Sequence, residues 1–200
     1  APGCEYFLHK HEGDSMCCRF CAYGAPDERT HHLGQVAGQV GIPERTLERM
    51  AQGLHAVVSQ TTIRHIYLVG GSLTDARQEG ERFLQLARFL KRENRYGIPV
   101  ALGSGALPDD VIEQFRREQL VDYVCFNLEM WSEPLFAKIC HGQNRYVGYH
   151  RWIEALETAV GLWGRGNVYS AMVAGIELDP EYGMTWEEAA RLALEGAEDI

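Results

Sequence analysis

The chain has no run of about 18 consecutive apolar residues anywhere in its 200, so no membrane-spanning helix is expected. It is also short of positive charge. Its 28 Asp and Glu outnumber 19 Lys and Arg, a formal charge of -9. That balance argues against broad nucleic-acid binding, which needs clustered cations. No internal repeat or low-complexity tract is present, and no signal peptide or lipidation is expected. The glycine-rich stretch 161–167 is not followed by Gly-Lys-Ser/Thr, so it reads as a helix-to-strand turn and not a phosphate loop. Cysteine is scarce after residue 21, where only Cys125 and Cys140 remain. So uneven a distribution does not suit a disulfide framework, and a reducing, cytoplasmic setting is expected.

Apolar residues make up 46% of the chain, enough for a substantial core. Residues 1–34 are rich in glycine, histidine and cysteine, with weak periodicity, and read as a loop region. Helices and strands alternate over 35–200. Leu47, Met50, Ala51, Leu54 and Val58 recur at helical spacing behind Pro43. Apolar runs at 63–71, 98–103, 121–128 and 168–176 read as buried strands. Helices are expected over 74–94, 108–118, 133–140 and 149–163, with a last one opened by a capping box at Thr185-Trp186-Glu187-Glu188. Such alternation predicts an α/β fold with a mostly parallel sheet, either doubly wound or a barrel. In both, chemistry gathers at the carboxyl ends of the strands. The chain opens on Ala1 and closes in a predicted helix, which leaves room for a strand before Cys4 and another after Ile200.

Those strand ends carry small and polar groups: Gly70-Gly71-Ser72, Gly103-Ser104-Gly105, Asn127-Leu128-Glu129 and Ala174-Gly175-Ile176-Glu177. Glycine allows a ligand close to the backbone, while Ser104, Asn127 and Glu129 can hydrogen-bond hydroxyl or ammonium groups. The sharpest local signal is Cys17-Cys18-Arg19-Phe20-Cys21. Two thiolates separated by two residues can grip one metal centre, and the spacing alone selects neither zinc nor iron–sulfur. Cys4 with His9 or His11 would complete a tetrahedral zinc site. A three-thiolate set of Cys4, Cys18 and Cys21 would instead leave one iron of a 4Fe-4S cluster open to a ligand.

With these residues in view, the chain resembles the radical S-adenosylmethionine (radical SAM) superfamily. Cys18-Arg19-Phe20-Cys21 resembles the second half of that family's C-x3-C-x-aromatic-C loop. Gly70-Gly71-Ser72 is similar to its Gly-Gly-Glu motif, with Ser72 in the place of Glu. Val173-Ala174-Gly175-Ile176-Glu177 resembles its fifth-strand region. The resemblance implies a partial (β/α)6-type TIM barrel. It implies a 4Fe-4S cluster on Cys4, Cys18 and Cys21, and S-adenosyl-L-methionine (SAM) on the open iron. Gly70, Gly71 and Ser72 would meet the methionine moiety, and Asn127 and Glu129 the ribose. Phe20 and the region from Val173 to Gly175 would border the adenine, with Ser104 and Ser170 also facing the cofactor. It further implies an external electron donor of flavodoxin or ferredoxin type and a small-molecule or peptide substrate.

The cluster loop departs from the family pattern. The usual spacing puts the first ligand at position 14, where Asp14 stands. Cys4 is the expected substitute, with 5–17 as an insertion, because soft thiolate suits iron–sulfur better than carboxylate. Cys17 reads as a neighbour of the site. His31, His32 and His141 read as loop histidines, and Trp131, Trp152, Trp163 and Trp186 mainly as packing residues. Cys125 and Cys140 read as buried free thiols. The rival to the enzyme reading is a zinc-stabilised α/β binding module.

Overall fold

A computed structural model describes residues 3–21 and 41–199. His31 and His32, with the rest of 22–40, lie outside the described residues. The fold is mixed α/β. After a 3-10 turn (Glu5–Leu8) comes a two-stranded antiparallel hairpin, β1 (Lys10–His11) and β2 (Asp14–Ser15). Helix α1 (Glu44–Gln60) follows. Then come β3 (Ile66–Val69), α2 (Ala76–Glu93), β4 (Val100–Ser104), α3 (Asp109–Arg117) and β5 (Tyr123–Phe126). Two short helices, α4 (Glu133–Ile139) and α5 (His141–Tyr146), precede α6 (Tyr149–Trp163). The chain continues through β6 (Val168–Tyr169) and a 3-10 turn (Ile176–Leu178) to α7 (Trp186–Asp199).

Strands β3 to β6 form a parallel sheet in sequence order, β3-β4-β5-β6. A parallel neighbour cannot be reached by a tight turn, so each connection carries a crossover through helix. Because such crossovers share one hand, a strand order that advances without reversal keeps its helices on one face. The burial pattern agrees. Leu68, Leu102 and Val124 are in register on one face, with Phe126 further along, and all belong to the core under α2, α3 and α6. Tyr67, Val69, Tyr123 and Tyr169 point to the opposite face and are exposed. Trp152, Phe136 and Ala159 anchor the helical layer.

The element boundaries are tighter than the apolar runs imply. The run at 168–176 is the main correction: only two residues pair as strand, and Gly175 turns the chain in a left-handed conformation, φ +98°. Beyond β6 a single parallel bridge, Glu129 with Met172, continues the pairing. In α1, Met50 falls on the solvent side at 44% exposure and Leu47 alone is buried. Trp186 is 68% exposed, so it does not pack like Trp152 and Trp163. Thr185 does cap α7: Glu188 accepts from the Thr185 amide at 2.8 Å, and the Thr185 hydroxyl accepts the Glu188 amide at 3.3 Å. Among the described residues, no helix is long and apolar enough to cross a membrane.

Glu79 is the least expected core residue. It is 2% exposed on α2, and its carboxylate accepts the Leu73 amide at 2.8 Å and the Gly105 amide at 2.7 Å. Arg82, one turn along and 1% exposed, donates to the Gly71 carbonyl. Burial pushes the Glu79 carboxyl upward against the opposing pull of those two amides and of Arg82. Losing the carboxylate would leave the Leu73 and Gly105 amides without their acceptor and remove a charge that favours Arg82. Glu79→Leu is therefore expected to cost on the order of 3–5 kcal/mol. Glu79→Gln, which keeps one acceptor oxygen, should cost less. Urea denaturation midpoints rank the three proteins, and equal midpoints for Gln and Leu would contradict this role.

Candidate active site at the carboxyl ends of the strands

The turns after β3, β4 and β5 converge on a cleft of about 480 Å³. Gly70, Ser72, Ser104, Asn127 and Glu129 all line it, together with Gly103 and Gly105. Half of the ten residues expected to meet a cofactor thus share one concavity. Its wall also includes Gln143 and Trp152, whose Oε1 and Nε1 atoms are buried without a hydrogen-bond partner. Buried polar atoms of this kind are rare in folded proteins and fit a site built around a polar ligand.

Glu129 also borders a second cavity. Its wall is mostly apolar, with Met130, Trp131, Leu135, Met172, Val173 and Leu192. Val173 is thus part of this apolar wall. Gly175 and Ser170 line neither cavity. The Ser170 hydroxyl accepts the Leu128 amide at 3.0 Å and so holds the turn that presents Glu129. Phe20 is half-buried against the core.

The N-terminal strip reaches the cleft through two close approaches. At Gly71 an added Cβ would stand 2.3 Å from the Cys4 nitrogen, so only glycine permits this contact. The Glu5 amide donates to the Ser72 carbonyl at 2.8 Å, and the Glu5 carboxylate accepts the Thr74 amide at 2.6 Å. Farther on, the Gly142 amide donates to the Met16 carbonyl at 2.8 Å, and a Cβ there would strike that carbonyl and the Tyr6 ring. Between these two anchors, 5–17 form the 3-10 turn and the hairpin. The excursion leaves the strip and returns to it. Cys4 and Cys18 end close enough for each to feel the other's charge.

Burial pushes the Cys4 thiol up to about 12, with the charges of Cys18 and Glu79 adding to the effect. Cys18 is driven higher still, first by its hydrogen bond to the Cys140 thiol and then by burial. Cys21 follows one turn later, its amide donating to the Cys18 carbonyl at 3.0 Å. Cys17 is held aside by Ser15, whose hydroxyl donates to its sulfur at 3.1 Å. Asp14 sits exposed on β2, opposite His11. His9 lies by Glu5 at 3.5 Å and packs edge-on against Tyr146, while His11 is exposed beside Glu12. Among the described residues, no three Cys, His, Asp or Glu side chains are already gathered at metal-binding distances. The donors fit a thiophilic centre by chemistry and by their position at one end of the sheet, and a metal would have to draw the sulfurs together.

Several of these residues escaped sequence reading. Glu79 falls four residues before Phe83 on the apolar stripe of α2, a legible sign of a buried carboxylate. Gln143 and Trp152 carried no motif. The pairing of Cys18 with Cys140 spans 122 positions and had no local signal at all. The chain matches no family model, no curated protein and no solved structure.

Glu129 is held at φ +70° by its own backbone bonds, donating to the Ala171 carbonyl and accepting from the Val173 amide. Burial alone pushes its carboxyl from 4.5 up to about 7. The folded state therefore holds this proton more tightly than the unfolded chain does. Between pH 4.5 and about 7, rising pH ionises the group more readily when unfolded, so this contribution to stability falls and then levels off. Glu129→Gln should flatten that part of the stability profile. Denaturation midpoints at about pH 5 and about pH 7.5 test it, and an unchanged slope in the variant would contradict the assignment.

Proposed function

We propose that this chain is a radical SAM enzyme, built as a partial (β/α)6-type barrel in which β3 to β6 form the described portion. One arrangement carries the reading: the Cys4 backbone packs against Gly71, next to Ser72 of a cleft that Gly70, Ser104, Asn127 and Glu129 also line, and Cys18 lies within electrostatic reach of Glu129. Thiol donors and hydroxyl-binding groups from four separate stretches of chain meet at the end of a parallel sheet where ligands bind. Cys4, Cys18 and Cys21 would hold three irons of a 4Fe-4S cluster. When bound, that cluster supplies the electron that cleaves SAM to methionine and a 5′-deoxyadenosyl radical.

The protein's own part is positioning and exclusion of water. Gly70 and Gly71 would let a ligand approach the backbone, and Ser72 would offer polar contacts to an ammonium group. Asn127 and Glu129 offer acceptors to a ribose. The apolar cavity that Glu129 also borders suits a flat base against Val173 and Trp131. Cys4 is favoured over Asp14 as the first ligand because its backbone is clasped to Gly71 and Ser72, while Asp14 faces solvent on the hairpin. A one-electron donor of flavodoxin or ferredoxin type, a small-molecule or peptide substrate and a cytoplasmic setting complete the proposal.

Anaerobic reconstitution with iron and sulfide, followed by SAM and dithionite, tests it directly. The expected result is a brown protein that yields 5′-deoxyadenosine. Cys4→Ala should lose the cluster, while Asp14→Ala should keep it, as read by visible absorbance and bound iron. A colourless protein that retains one zinc and takes up no iron would replace this reading with the zinc-stabilised binding module.

A further inference from the structure

Cys140 has no place in the proposed ligand set, yet it faces one of its members. Cys18 and Cys140 pair directly across an isolated antiparallel bridge. The strip and the α4–α5 junction are tied on both sides of that pair. On one side the Arg19 amide donates to the Ile139 carbonyl at 3.0 Å, and on the other the Gly142 amide donates to the Met16 carbonyl at 2.8 Å. Facing residues in an antiparallel pair have Cα atoms about 4.5–5.5 Å apart. A disulfide accepts separations of about 4.4–6.8 Å.

We propose that Cys18 and Cys140 form a reversible disulfide under peroxide, and that this bond is a modification site that removes Cys18 from metal binding. Exposure divides the roles. Cys18 is half-buried and reachable, whereas Cys140 is fully buried behind it. The surroundings of Cys18 hold it as the thiol, so the step is slow and needs excess peroxide; the sulfur gives up its proton as it attacks a peroxide oxygen, giving a sulfenic acid and, from hydrogen peroxide, water. The Cys140 sulfur then displaces the sulfenic oxygen, which leaves as a second water. Two thiols and one hydrogen peroxide become one disulfide and two waters, and the peroxide gains two electrons. A dithiol reductant reverses the step.

The bond would form with little movement of the backbone, because the bridge already sets the register. It would also fix the strip against α5 while holding the Cys18 sulfur away from Cys4. The disulfide stands on this pairing alone. Its effect on metal loading rests on the ligand set proposed above, and the two are tested separately.

The metal-free chain is treated with hydrogen peroxide, its remaining thiols are alkylated, and tryptic peptides are read by mass spectrometry. Cleavage at Lys10 and Arg19 gives peptide 11–19, and cleavage at Lys138 and Arg145 gives 139–145. The expected product joins these two with the loss of two hydrogens and disappears after reduction. Peptide 11–19 contains both Cys17 and Cys18, so variants assign the link. It should persist in Cys17→Ser and vanish in Cys18→Ser. A link from 11–19 to the peptide carrying Cys21 as the main product would overturn the proposal, as would a link lost in Cys17→Ser or no link at all. In a second measurement, peroxide followed by its removal should abolish iron uptake by the unaltered chain, and a dithiol reductant should restore it. Iron uptake unaffected by a formed disulfide would refute the effect on metal loading. A reduced chain that forms the disulfide but never takes up iron would sink the cluster reading and leave the disulfide standing.

Discussion

The cleft depends on one buried carboxylate. Glu79 lies inside the helical layer, where an ionised group is costly unless its acceptor capacity is used. Its two oxygens take the amides of Leu73 and Gly105, which belong to the turns after β3 and β4. Neighbouring parallel strands are bonded along their length, but their ends diverge into loops that no ladder constrains. A single side chain from α2 fixes both loops at once. Arg82 then draws the Gly71 carbonyl toward the same helix. The backbone that lines the cleft is thus set from beneath, by groups a ligand would never touch.

From that fixed floor the N-terminal strip acquires its position. Gly71 gives the Cys4 backbone a seat that any side chain would block, and Gly142 does the same for Met16 and Tyr6. Tyr6 stacks on Tyr146 of α5, with ring centroids 5.5 Å apart, and so braces the strip between its two seats. The hairpin between them is exposed and makes its own turn, with Glu12 and Gly13 both at positive φ. This is how residues 14 positions apart, Cys4 and Cys18, come to lie on one strip. The intervening chain does not stretch between them but folds outward.

The α/β class was legible because it rests on periodicity, which packing against one sheet face enforces. Strand ends were legible as places for chemistry because glycine and short polar residues collect where ladders stop. What was not legible depends on contacts between distant positions. The short β6 is an example. Val168 to Ile176 is apolar enough for a full strand, yet Ser170 turns its hydroxyl to the Leu128 amide and Gly175 adopts a left-handed conformation. Apolar character there serves a cavity wall instead of a ladder. The partnership of Cys18 with Cys140 was hidden for the same reason: each residue's local surroundings explain burial, and neither names its neighbour.

Glu129 joins these two levels. It borders both a polar cleft and an apolar cavity. The last parallel bonds of the sheet fix its backbone, while its side chain has burial as the cause of its raised proton affinity. A carboxyl left in that condition gains from any ligand that donates hydroxyl hydrogens to it, because the ligand would replace lost solvation. The same ligand would need an apolar portion on one side and a polar, hydrogen-bonding portion on the other. On the proposed reading, an amphiphilic ligand with hydroxyls at its centre would use both walls that Glu129 borders.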